Sequence, residues 1–178
     1  IGPLDGIPIG LKDNIDVAGI ATSNGLGGQP PAAIRDAAVT ARLKKAGAVL
    51  TAKLNMHEAA LGVSTDNPHH GRARNPFDPN RSPGGSSGGS GAAVAAGLCA
   101  AALGTDTAGS IRLPAAFCGV VGLKPTYGRI SLAGIAPLNE RLDHVGPITR
   151  SVADADLIMA ALADETAAWH PEPVPERL

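Results

Sequence analysis

Two short glycine-rich turns carry the residues with the most chemical promise. Gly84–Ser90 reads GGSSGGS and Gly104–Ser110 reads GTDTAGS, separated by a run made almost entirely of Ala, Gly, Val, Leu and Cys. Glycine lets a backbone adopt positive φ and approach other groups closely. The hydroxyls of Ser86 and Ser110 therefore sit on constrained turns beside a segment small enough to pack tightly. That combination fits a serine nucleophile, with a phosphate cradle as its main rival.

Three motif readings compete for these turns. GTDTAGS satisfies the GxxxxG frame of a phosphate-binding loop, but Ser110 stands where its lysine belongs and Ile111 where its Ser/Thr belongs. Both Gly84-x-Ser86-x-Gly88 and Gly85-x-Ser87-x-Gly89 match a GxSxG nucleophile elbow, with His144 downstream. An elbow must follow a strand, and Asn80-Arg81-Ser82-Pro83 cannot form a central one. The third reading joins Ser110, Ser86 and Lys12. A desolvated lysine can act as base for a serine, an intermediate serine can relay the proton, and backbone N–H groups around Gly109 can face a developing oxyanion. It uses the most residues, although spacing alone does not bring Lys12 to Ser86.

The elements that must position these groups read as an alternation of strands and helices, an α/β pattern. Asp5–Lys12 contains a strand-like run ending on Lys12, and Ala18–Pro31 reads as loop. Asp36–Ala46 reads as a surface helix with Asp36 as N-cap and a stop at Gly47. Ala48–Lys53 follows as a buried strand, then Asn55–Leu61 as a short helix capped by Asn55, then a long loop, Ser64–Pro83. Ser90–Leu98 is expected to be a buried small-residue helix and Cys99–Gly104 a strand entering the second turn. Ser110–Phe117 reads as a short helix, Val120–Leu123 as a strand, and Tyr127–Gly146 as irregular structure. Ser151–Asp164 is the clearest helix, with a capping box from Ser151 and Asp154 and one apolar face from Ala155, Ile158, Met159 and Leu162.

Composition narrows the function classes. A net charge of −1 over 178 residues leaves no electrostatic footprint for nucleic acid or an anionic membrane surface. The longest small or apolar run, Gly91–Gly104, falls short of the roughly 20 residues of a spanning helix, and no signal peptide is visible. A cytoplasmic protein is expected. His57, His69 and His70 lack metal-site spacing and read as loop hydrogen-bonders, so no metal is expected. Cys99 and Cys118 read as inert buried thiols. Residues 1–168 read as one core and 169–178 as a Pro-rich, disordered tail. The opening at Ile1, directly on core-like sequence, reads as a fragment of a longer catalytic domain.

The chain resembles the amidase signature family over nearly its whole length. The resemblance lies in GPLDGIPIGLKDN at the start, NMHEAALGVSTDNPHHGRARNPFDP before the serines, SPGGSSGGSGAAVAAGLCAAALGTDTAGSIRLPAAFCGVVGLKPTYGR across them, and LDHVGPITRSVADADL after them. It implies a Ser–cisSer–Lys triad: Lys12 as base, Ser86 as the bridging serine after a cis peptide, and Ser110 as the acylated nucleophile. It further implies a backbone oxyanion hole at Thr107, Ala108, Gly109 and Ser110, and a main-chain contact to substrate at Ala60. Asp106 and Arg112 are expected to brace the turn. The implied fold is part of an α/β core with a mixed, twisted sheet surrounded by helices, with exposed apolar surface. The implied activity is hydrolysis of a small-molecule amide without a cofactor, in a protein that could form a homo-oligomer. An alternative within the family is the amidase subunit of a tRNA-dependent amidotransferase, working with partner subunits. Leu113, where many such subunits have glutamine, and NERLDHVGP both favour the stand-alone amidases.

Overall fold

The computed structural model describes residues 2–163. A five-stranded sheet in the order β2-β1-β5-β7-β6 forms its centre. Strands β1 (Pro8–Lys12), β2 (Val49–Leu54) and β5 (Ala101–Asp106) run parallel, and β7 (His144–Thr149) lies antiparallel to both β5 and β6 (Val121–Gly122). A separate hairpin pairs β3 (Asp66–Asn67) with β4 (Gly71–Arg72). The helices are α1 (Ala38–Lys45), α2 (Gly88–Ala95), α3 (Arg112–Phe117) and α4 (Val152–Leu162).

The sheet is covered on both faces. Ile9, Leu11, Leu103 and Val145 pack with Val39 and Leu43 of α1 and Ile158 and Leu162 of α4. On the opposite face Ala102 and Ile148 pack with Ala93 and Val94 of α2 and with Ile111 before α3. Strands enclosed in this way read as apolar runs with little alternation, which is why β5 was legible. The mixed α/β class follows the expectation. The expected tail, 169–178, and the end of the expected core, 164–168, lie outside the described residues.

Four local expectations are corrected. Asp36 does not cap α1; the N-cap is Ala37, and the Asp36 carboxylate pairs with Lys44 at 2.8 Å and accepts from the Ala18 N–H. Strand β2 is an edge strand, with Val49 half exposed, because only β1 flanks it. Asn55–Leu61 contains just one 3-10 turn, Glu58–Ala60, because Ala59 and Ala60 adopt positive φ and the Asn55 side chain bonds locally to Met56 and Gly71. Finally, Tyr127–Gly146 is not wholly irregular, since β7 starts at His144. Pro147 in its middle argues against a strand, yet its carbonyl still accepts from the Leu123 N–H. Helix α4 does carry the expected cap, Ser151 Oγ accepting from the Asp154 N–H at 3.1 Å.

Helix α2 owes its small residues to backbone contacts. A Cβ at Gly89 would lie 2.3 Å from the Asn55 carbonyl oxygen, the same atom that accepts the Gly89 N–H. Gly89→Ala is therefore expected to lower stability by about 1–3 kcal/mol, measured by thermal unfolding. An unchanged melting temperature would contradict this close approach.

Candidate active site

Register places the lysine. Strand β1 runs beside β5 with Leu11 opposite Leu103, so Lys12, the last residue of β1, comes opposite Gly104, one residue before Thr105. The Lys12 amine is fully buried, 2.7 Å from Ser86 Oγ and 2.7 Å from Thr105 Oγ1. Asn14 Nδ2 donates to the same Thr105 oxygen at 3.0 Å.

Ser86 is delivered by the turn that enters α2, and the Gly85–Ser86 peptide is cis. Thr65 Oγ1 donates to the Gly84 carbonyl at 2.8 Å and accepts from the Gly88 N–H at 3.0 Å, clasping both ends of the turn. Ser87 Oγ donates to the Thr105 carbonyl and accepts from the Thr105 N–H, pinning the turn to β5. The Ser86 carbonyl accepts from the His57 N–H at 3.0 Å. A side chain at Gly85 would meet the Val63 backbone at 2.8 Å. Glycine is required there by space.

The second turn leaves β5 at Asp106, whose carboxylate is fully buried. It accepts from the N–H groups of Gly109 at 2.7 Å and Ile111 at 3.1 Å, and pairs with the Arg112 guanidinium at 3.0 Å through both oxygens. Although burial opposes ionisation, those hydrogen bonds and the Arg112 charge hold the Asp106 carboxyl below the usual carboxylate range. Ser110 is half-buried, and its carbonyl accepts from the Ser87 N–H at 3.2 Å, which joins the two turns. Among the described residues, the N–H groups of Thr107, Ala108 and Ser110 meet no acceptor. Gly109 was expected beside them but is committed to Asp106, leaving three free donors instead of four.

Burial pushes the Lys12 amine down from 10.5 to about 7, against the opposing charges of Asp106 and Asp143. A substantial neutral fraction is therefore present near neutral pH, the form that can take a proton. Ala60 is buried and lines a cavity of about 10 Å³ with Asn14, Thr105 and Thr107. The three loop histidines bond locally, His69 to Glu58, His70 to the Leu26 carbonyl and His57 to Ser64. Cys99 and Cys118 are buried free thiols, and desolvation pushes Cys118 up to about 11.

A family model described as amidase matches residues 1–177. The chain belongs to the amidase family. It is 51% identical over 180 residues to a glutamyl-tRNA(Gln) amidotransferase subunit from Syntrophobacter fumaroxidans, covering 96% of this chain and 36% of that protein. The crystal structure of the Thermotoga maritima counterpart of that subunit superposes with a TM-score of 0.87 at 45% identity, covering 90% of this chain and 37% of the other. Native peptide amidase from Stenotrophomonas maltophilia gives a TM-score of 0.86 at 47% identity, over 93% and 35%. The chain thus spans little more than a third of the length of these amidase relatives. No helix among the described residues is long and apolar enough to cross a membrane.

Of the residues singled out in the sequence, Lys12 and Ser86 meet through their side chains, while the partners Thr105 and Thr65 were missed and Ser87, noted only within a GxSxG match, serves to pin the turn. Thr105 had one signal, being a hydroxyl that follows directly on the buried small, apolar run Ala101–Gly104. Thr65 looked like any loop threonine.

The Lys12 shift has a sign in stability. Between pH of about 7 and 10.5 the unfolded chain holds the lysine proton that the folded chain has released, so this group makes stability rise with pH across that window. Below it, both states are protonated and the burial penalty is fully present. Lys12→Met removes the titration, so its stability relative to the parent should be greatest near pH 6 and decline toward pH 10. Parallel unfolding curves for the two proteins across this range would contradict the shift.

Proposed function

We propose that this chain carries the catalytic centre of an amide hydrolase, with Ser110 as nucleophile, Ser86 as proton relay and Lys12 as base. The supporting observation is the buried Lys12 amine, lowered to about 7 and 2.7 Å from Ser86 Oγ. Ser110 Oγ attacks the amide carbonyl carbon while its proton passes to Ser86 and the Ser86 proton passes to Lys12. The carbonyl π electrons move onto oxygen, and the free N–H groups of Thr107, Ala108 and Ser110 face that oxyanion. Collapse breaks the C–N bond as Ser86 returns a proton to the leaving nitrogen and recovers one from Lys12. Water then attacks the ester carbonyl through the same relay, releasing the acid and restoring Ser110. No step uses a metal or an organic cofactor.

The substrate under this reading is a small carboxylic amide. A second reading, the amidase subunit of a tRNA-dependent amidotransferase, draws on the names of relatives about half identical to the chain. Leu113 weighs against it. Its side chain stands over Gly109, where an added Cβ would come within 3.2 Å of Leu113 Cδ1, giving the turn an apolar neighbour. Glutaminase activity that appears only with partner subunits would favour the second reading.

Fluorophosphonate labelling followed by peptide mass spectrometry tests the assignment. The adduct is expected on Ser110 and absent in Ser110→Ala, with labelling slowed about 10²–10⁴-fold in both Lys12→Ala and Ser86→Ala. Near-normal labelling in either would overturn the relay.

The labelling rate should also rise from pH 5, pass its midpoint near the Lys12 value of about 7 and level off on the alkaline side. A flat profile would remove Lys12 as the base.

A further inference from the structure

We propose that Asp143 is a positioning residue that sets the oxyanion turn through the Thr107 hydroxyl, an inference that rests on Ser110 being the nucleophile. The β5–β7 ladder ends at Asp106 opposite His144. The next opposed positions in that register are Thr107 and Asp143, and their side chains meet, Thr107 Oγ1 donating to Asp143 Oδ1. A hydrogen bond to a carboxylate is stronger than one between neutral groups. It carries the β5–β7 pairing one residue past the last ladder pair, onto the segment where the free N–H groups of Thr107 and Ala108 begin.

Asp143 is itself fixed. Its second oxygen accepts from the N–H groups of Leu138 at 2.8 Å and Asn139 at 2.9 Å, its own N–H donates to the Asn139 carbonyl at 2.8 Å, and it is 8% exposed. The loop closed by Asp143 therefore offers Thr107 an immobile acceptor. On the other side of the turn, Asp106 holds Gly109 and Ile111. Residues 107–110 are thus strung between two carboxylates, one on the hydroxyl at the start of the turn and one on the backbone at its end. Ala108 between them is exposed. Cutting the Thr107 tether leaves the free donors held from one end alone, and small errors in donor placement cost catalytic rate steeply.

The test is fluorophosphonate inactivation of the intact protein, separating the maximal rate from the half-saturating probe concentration. Thr107→Val keeps shape and removes only the hydroxyl. The maximal rate is expected to fall about 10–100-fold with half-saturation and melting temperature nearly unchanged, and Thr107→Ser should restore it. Asp143→Asn should slow the parent but add nothing in the Thr107→Val background, because both changes cut one tether. An unchanged rate in Thr107→Val overturns the proposal. So does an equal loss from Asp143→Asn in both backgrounds, which would mean the carboxylate acts directly on Lys12. A parent protein that gains no adduct on Ser110 defeats the nucleophile assignment itself, and this inference with it.

Discussion

The burial of one amine organises the centre of this structure. A lysine with no exposed surface and two hydroxyl partners is costly to fold unless its charge is given up or compensated. Here both happen in part. Desolvation drives the amine toward neutrality, while the carboxylates of Asp106 and Asp143 pull the other way. The balance leaves it near neutrality, the range that the proposed role as base requires. Those carboxylates are in turn saturated by backbone N–H groups, Arg112 and the Thr107 hydroxyl. The charges that tune the lysine are thus the same ones that shape the turn at residues 107–110.

Glycine and small side chains are what make this arrangement dense enough. Ser86 reaches Lys12 because Gly85 lies against the Val63 backbone and Gly89 against Asn55, with no room for a side chain at either place. The segment between the two turns becomes a helix tucked against β5 and a fully buried strand. The composition that drew attention in the sequence is therefore a packing requirement, and the proposed chemistry rests on the few polar residues it brings together.

Much of this was legible in the sequence, and the failures have physical causes. Strand β5 and helix α4 announced themselves through an unbroken small, apolar run and through a capping box with a helical apolar face. The long motifs around Lys12, Ser86 and Ser110 pointed to the residues that the fold brings into one neighbourhood. Strand β7 was hidden by Pro147, whose missing N–H normally disqualifies a central position. The burial of β2 was overestimated because an apolar run does not reveal whether one neighbour or two will flank it. Asp36 was misread as a cap because a carboxylate before a helix can bond elsewhere, here to Lys44 and Ala18. Thr105 and Asp143 stayed out of view because each matters through a cross-strand neighbour, and register is not written in local sequence.

The hydrogen bonds of Lys12 also have a consequence for the order of events as the chain folds. They reach across 74 residues to Ser86 and 93 residues to Thr105, so they form only once distant parts of the chain have met. Contacts of such long sequence separation form late and slowly. Until β5 closes beside β1, the amine remains in water with an ordinary lysine affinity for protons, and the proposed relay through Ser86 has no base. Under the proposed mechanism, reactivity is therefore withheld from the nascent chain and appears together with the completed sheet.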